Sequence, residues 1–317
     1  MERGGLLGRH SDLHLKADDL ARSLAFPGPI RLAEAHLGLA AELLELCQSI
    51  GRDDFTVEHL GVTWRGRRDR LVVDGIWYRL RRLPDAPPRL DALPSPLPRH
   101  VQAMLMSERL QPGGLVYVTG AAGAGKTTTA SAMVVSRLAR FGGIAYTIED
   151  PPEMPLNGWH GDGYCSQTTV AGDSSADWME SFRGALRSQP AATHQMLFVG
   201  EIRNRESAQL MLRAASNGFL VVATGFGTDI VSALDSLAKL AGAEHQAMLG
   251  NMVRLVIHQR LRDGRLEARA LASPSASGPV AARIRGGQFV HLVGDIQQQE
   301  ALMIRNISPL EVQDHAA

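Results

Sequence analysis

Gly120-Ala121-Ala122-Gly123-Ala124-Gly125-Lys126-Thr127 decides how this chain is read. Its spacing, G-x-x-x-x-G-K-T, is that of a phosphate-binding loop. Small residues let the backbone wrap a polyphosphate with its N–H groups turned inward. The apolar run Leu115 to Val118 before the loop reads as a strand, and Thr128 to Leu138 after it reads as a helix. The N-terminus of that helix adds the positive end of its dipole. Gly120, Gly123, Ala124, Gly125, Lys126, Thr127 and Thr128 are therefore the expected nucleotide contacts. Lys126 is placed to reach the β- and γ-phosphates, and Thr127 to offer its hydroxyl to Mg²⁺. The loop alone indicates a nucleoside triphosphate with Mg²⁺ and does not separate a motor from a kinase or a GTPase, although no Asn-Lys-x-Asp segment for reading guanine occurs.

Further strands are predicted at Ile144 to Ile148, Met196 to Val199 and Leu220 to Thr224. They are continuous apolar runs, as in a parallel sheet covered by helices on both faces. The pattern predicts an α/β nucleotide-binding core. In such a sheet the chemistry sits at the carboxyl ends of the strands. Two acidic positions qualify: Glu149, with Asp150 beside it, and Glu201, after Gly200. A P-loop hydrolase needs such a group near the γ-phosphate to orient water or take its proton.

Upstream, residues 29 to 50 carry helical periodicity, closed by Gly51. Four short strands follow: Phe55 to Val57, Val62 to Trp64, Leu71 to Val73 and Ile76 to Leu80. Asp74-Gly75 is a hairpin signal between the last two. Residues 1–83 are thus predicted to form a small α+β domain. Six prolines between Pro84 and Pro98 mark a semi-rigid linker over 84–98. The core is expected over 99–305, with a short helical region at its C-terminal end, and residues 306–317 as a loose tail.

Composition narrows the partners. The chain of 317 residues is 44% hydrophobic and 21% charged, with 33 basic residues against 33 acidic. Zero net charge, with no basic stripe interleaved with aromatics, argues against a nucleic-acid translocase. Cys47 and Cys165 are the only cysteines, too few for a four-cysteine zinc site. No run of about 18 apolar residues occurs, so no membrane span is predicted. A cytoplasmic location is expected, with any membrane association made through partners.

In order along the chain, these motifs resemble the type II secretion and type IV pilus ATPase family, of the PilT and GspE kind. Thr147-Ile148-Glu149-Asp150-Pro151-Pro152-Glu153 resembles the family's aspartate box. Gln167, Val170 and Gly172 resemble a worn Q-R-E-V-G segment. Leu186 and Arg187 with Pro190, then Leu197 to Asn204, resemble the Walker B stretch. Ala214 to Thr224 resembles A-A-E-T-G-H-L-V-x-x-T. Ser11-Asp12-Leu13-His14-Leu15 resembles the opening of the family's N-terminal domain. Val256 to Leu261, Gly264-Arg265 and Ile284 to Gly287 resemble the early C-terminal helical region. The resemblance covers roughly residues 10 to 300.

The resemblance implies a RecA-like core with a PAS-like N-terminal domain, assembled as a homo-hexamer. It implies a motor docked on an inner-membrane platform protein of a pilus or secretion machine. Glu201 would be the catalytic carboxylate and Glu149 its assistant at the γ-phosphate and metal. Arg81 is the best match for an N-terminal arginine that neutralises phosphate charge, with Arg65 and Arg79 next. The chain also departs from the family. Phe226 stands where a T-L-H-T box has its histidine, Thr169 replaces a glutamate, Ala191 an aspartate, and Asn204 another aspartate. A phenyl ring cannot hydrogen-bond near the γ-phosphate. Two readings follow: an ATP-hydrolysing motor of a retraction, secretion or conjugation system, and a nucleotide-binding regulatory subunit with weak hydrolysis. The compact length and lack of zinc cysteines favour a PilT-like or DotB-like branch over the usual GspE form.

Overall fold

The computed structural model describes residues 9–312 except 171 and 173. The chain divides into two compact units, residues 1–86 with 150–155, and residues 87–149 with 156–317.

The first unit is a six-stranded antiparallel sheet in the order β3-β2-β1-β6-β5-β4. Its strands are β1 Asp12–Lys16, β2 Leu24–Phe26, β3 Ile30–Arg31, β4 Asp54–His59, β5 Val62–Asp69 and β6 Trp77–Arg82. One helix, α1 Leu37–Ser49, buries Ala40, Leu43, Leu44 and Cys47. They pack in one core with Leu13, Leu15, Phe55, Trp64 and Leu80. Gly66 is fixed by this packing, because a Cβ there would lie 2.3 Å from the Phe55 ring.

Two expectations for this region need correction. The helix begins at Leu37 rather than near residue 29, because Ile30 and Arg31 pair with Ala25 and Leu24 across a turn at Pro27 to Pro29. Leu71 to Val73 is not a strand. β5 runs on to Asp69, which pairs with Trp77 of β6. The residues between form the hairpin loop, where Leu71 and Val73 are fully in solvent. Asp74-Gly75 lies in that loop, but not between the strands expected to flank it.

The second unit holds an eight-stranded sheet in the order β14-β13-β7-β12-β11-β8-β10-β9. The six inner strands are parallel: β7 Gly114–Thr119, β8 Gly143–Ile148, β10 Gly163–Ser166, β11 Gln195–Val199, β12 Leu220–Gly225 and β13 Val253–Arg262. The edge strands β9 Gly158–His160 and β14 Arg265–Ala272 run antiparallel. Val256 to Leu261 and Arg265 are therefore sheet, not the helical region the resemblance implied. Val256 and Ile257 are buried on the sheet at 0% exposure, while Leu261 near the strand's end is exposed.

Around the sheet lie α2 Arg99–Leu105, α3 Lys126–Phe141, α4 Ser175–Arg187, α5 Arg205–Ser216, α6 Ile230–Ala241, α7 Gln246–Met252, α8 Pro279–Arg285 and α9 Leu292–Ile304. The α3 helix buries an unbroken run from Thr129 to Leu138. Ser136 in that run accepts from the Leu90 amide (2.9 Å), and Ser95 accepts from the Leu266 amide (2.7 Å). The second half of the proline-rich segment is thus strapped onto the core, with Leu90, Leu93 and Leu97 buried. The expected loose tail is also tied down as far as it is described. Leu310 is buried, and Glu311 accepts from Ser107 (2.9 Å) and Arg109 (3.3 Å). Residues 313–317 lie outside the described residues.

Candidate nucleotide site

The phosphate loop leaves β7 in the middle of the sheet and ends as the first turn of α3. Gly120, Gly123 and Gly125 all take positive φ, at 149°, 74° and 78°. A side chain at 120 would put its Cβ 2.3 Å from the Gln259 carbonyl oxygen, so only glycine fits there. Gln259 is wholly buried on β13 and donates its side-chain amide to the Ala124 carbonyl. It braces the loop from below, a role that sequence spacing does not reveal. Gly123 has open space where a Cβ would stand. The loop is therefore packed on one side and open on the other, a shape that admits a polyphosphate. It borders a cavity of about 800 Å³ lined by Ala121 to Ala124, Phe226, Thr228, Ser236, His258 and Arg260 among others.

Lys126 is 7% exposed at the start of α3. Its ammonium donates to the Ala121 carbonyl (2.9 Å) and lies 4.4 Å from the centre of the Phe226 ring. Thr127 and Thr128 follow in the same turn, each half-buried. The residues expected to contact nucleotide, Gly120 through Thr128, thus share one loop and helix start.

The two carboxylates end neighbouring strands. Glu149 follows β8 and is 2% exposed. Its carboxylate accepts from the Gln167 amide (2.8 Å), and its backbone pairs with Thr168 and Val170. Thr169, where the family pattern has glutamate, forms the bridge opposite Glu149. Glu201 follows β11 beyond Gly200 and is paired with Arg203. Asn204, one of the departures, caps α5 by accepting from the Ser207 amide (2.8 Å); asparagine suits that position as well as aspartate.

Among the described residues no group of three His, Cys, Asp or Glu could hold a metal unaided. A Mg²⁺ taking one hydroxyl or one or two carboxylates, and completing its shell with phosphate and water, suits this donor set. Thr127 would hold it, with Glu149 and Glu201 at the ends of β8 and β11, beyond β12 in the same sheet.

The loop after β12 explains two of its own glycines. A Cβ at Gly225 would fall 1.8 Å from the Tyr117 hydroxyl, and one at Gly227 would fall 2.5 Å from the Ala233 Cβ. Tyr117 thus fills the room that a leucine at 225 would need. Burial pushes its phenol up, and the Glu201 charge adds to this. His258 on β13 lies 3.2 Å from the Gly227 carbonyl, and Arg260 donates to the Thr228 carbonyl (2.7 Å).

Arg81 belongs to the other unit, where it is exposed and donates to Asp12 (2.8 Å). Arg65 pairs with Glu153 and Arg79 with Asp69. Arg67 pairs with Asp54, and Arg68 and Arg70 with Asp53. Every arginine of that cluster therefore has a carboxylate partner within its own unit. The thiols of Cys47 and Cys165 are buried, and burial pushes each up to about 12, so neither is a ready nucleophile.

The model of the type II/IV secretion system protein family matches residues 79–289. The chain belongs to that family. It is 36% identical over 151 residues to the type II secretion system protein HxcR of Pseudomonas aeruginosa, a stretch that covers 48% of this chain and 29% of HxcR. It is 30% identical over 240 residues to the uncharacterized protein YggR of Escherichia coli K12, covering 71% of this chain and 68% of YggR. In fold it is similar to the crystal structure of the pilus retraction motor PilT with bound ADP, at a TM-score of 0.69 and 24% identity, over 92% of this chain and 86% of PilT. The α/β core and smaller N-terminal unit expected from the sequence are thus those of this family's fold. No helix among the described residues is long and apolar enough to cross a membrane.

Proposed function

We propose that this family member hydrolyses ATP with Mg²⁺ and turns that hydrolysis into mechanical work, as a homo-hexameric motor of a retraction-like pilus, secretion or conjugation machine. The observation that carries the reading is the open glycine loop with Lys126 after β7, with Glu149 and Glu201 at the carboxyl ends of β8 and β11 in the same parallel sheet. Glu201 positions or activates the attacking water, because its carboxylate is partly open to solvent. Glu149 assists at the metal and γ-phosphate. Arg81 remains the candidate for neutralising phosphate charge, as the resemblance implies. A ring in the cytoplasm, docked on an inner-membrane platform protein, is what the same resemblance implies.

A second reading is favoured by Phe226, which lies over Lys126 where the family box has histidine. On that reading the protein is a nucleotide-gated subunit of such a machine with weak hydrolysis.

Measuring Mg-ATP hydrolysis separates the two. Turnover that vanishes in Lys126→Ala and Glu201→Gln establishes the motor. ATP binding without turnover, abolished only in Lys126→Ala, establishes the gated subunit. Retained turnover in Glu201→Gln would remove that residue from its role. Native mass measurement with and without nucleotide tests the ring of six.

A further inference from the structure

We propose that Phe226 is a latch on Lys126: its ring competes for the ammonium, and the β- and γ-phosphates of a nucleotide must draw it away. The proposal rests on the reading of the glycine loop as a nucleotide site.

Lys126 is buried, yet its Nζ meets a ring face 4.4 Å from the centroid and the Ala121 carbonyl at 2.9 Å. An ammonium over an aromatic face is held by the ring's quadrupole, and more firmly when water is excluded. The ring is not on a slack loop. Gly225 is pressed against the Tyr117 hydroxyl and Gly227 against Ala233, at separations that leave no room for a Cβ. Beyond them, His258 meets the Gly227 carbonyl and Arg260 holds the Thr228 carbonyl. The backbone that presents the ring is therefore fixed from both sides, and only the side-chain torsions remain free. The ring itself is 52% exposed on the wall of the cavity beside the loop. It can be reached, and turned, by whatever enters.

The chemistry of exchange follows. A phenyl ring offers phosphoryl oxygens neither donor nor acceptor. It can compete with them only for the cation. The lysine of such a loop serves the β- and γ-phosphates and not the α-phosphate. Displacing the latch should therefore be part of binding ATP and ADP, and no part of binding AMP.

Equilibrium binding of ATP, ADP and AMP to the full chain tests this, with Phe226→Leu, Phe226→Met and Phe226→Trp as variants and thermal unfolding as the check on folding. Leucine and methionine keep apolar bulk without a ring, while tryptophan offers the strongest cation–π face. We expect Phe226→Leu and Phe226→Met to tighten ATP and ADP about fivefold and leave AMP unchanged, and Phe226→Trp to weaken ATP about threefold. If one aliphatic variant fails to fold, the other carries the same comparison. Unchanged or weaker ATP binding in the aliphatic variants overturns the latch. So does an equal shift in all three nucleotides, which is the mark of a steric wall. Absence of ATP binding in the parent and every Phe226 variant overturns the nucleotide reading, and the latch with it. Binding that disappears in Lys126→Ala but ignores the Phe226 series overturns the latch alone.

Discussion

The ends of β8 and β11 lie side by side, each delivers a glutamate, and the two glutamates live in different surroundings. Glu149 is sealed. Its backbone is paired on both sides with the strand-like segment Thr168 to Val170, and its carboxylate is held by Gln167. The same Gln167 accepts through its carbonyl from the amides of Leu156 and Asn157. Glu149 is therefore the buried end of a polar network that runs out through the half-buried Gln167 to the surface. Glu201 sits on irregular chain between Gly200 and the start of α5, with an exposed arginine as its partner. The two ends touch, since the Glu149 Cγ lies 3.4 Å from where a Cβ at Gly200 would be. Position at the end of an inner strand thus does not by itself assign roles. The sealed carboxylate has its geometry fixed by protein, while the open one can exchange its partner for a water molecule.

That difference is broken most directly by turnover. A group that activates the nucleophile contributes about 10²–10⁴-fold. We expect Glu201→Gln to lose about that much ATPase rate with its melting temperature unmoved. If Glu149→Gln costs more rate than Glu201→Gln at equal stability, the two roles are exchanged.

Stability should rank the pair the other way. Removing a buried hydrogen-bonding partner costs about 1–3 kcal/mol, whereas exposed ion pairs contribute about 0–1 kcal/mol. Glu149→Ala should therefore lower unfolding stability by about 2 kcal/mol, and Glu201→Ala by less than about 0.5 kcal/mol, in denaturant titrations. A double-mutant cycle of Glu149→Ala with Gln167→Ala should show strong coupling. Additive effects would mean that the network is not what holds the β8 end together.

Much of this contrast could be read from sequence, and part could not. Both acids were legible because each follows a continuous apolar run, which marks an inner parallel strand. The glycine loop was legible because its residues are contiguous, whereas the Gln259 brace, 135 residues from Ala124, was not. The sealing of Glu149 was not. It depends on Gln167, 18 residues away, and on backbone pairing that any side chain at 169 permits. The departures near Phe226 were visible as departures but had no cause in the motif. Gly225 answers to Tyr117 and Gly227 to Ala233, contacts that only the folded sheet creates. In the first unit, Leu71 to Val73 has the composition of a strand. It lacks a partner because the longer β5 already occupies the ladder with β6. Periodicity records which residues could pair; it does not record which neighbour has been taken.

The smallest expected effect concerns how the open side is held. His258 is 5% exposed and braces the loop after β12 from β13. Burial lowers its pKa from 6.5, helped by the charges of Arg260 and Arg269 and opposed by the Gly227 carbonyl and Asp229. A histidine with a depressed folded pKa is more easily protonated in the unfolded chain. Its contribution therefore lowers stability as pH falls through about 6.5 and levels off below the depressed value. His258→Gln keeps a donor for the Gly227 carbonyl but removes the titration. Urea unfolding between pH 8 and pH 5 should then show less loss of stability on acidification in the variant, by less than about 1 kcal/mol. His14, His100 and His194 are shifted the same way, each chiefly by burial, so an acid slope should remain. If His258→Gln instead keeps the parent's full acid slope, the buried imidazole does not titrate with the fold, and its brace on the loop after β12 is not part of what holds the open side.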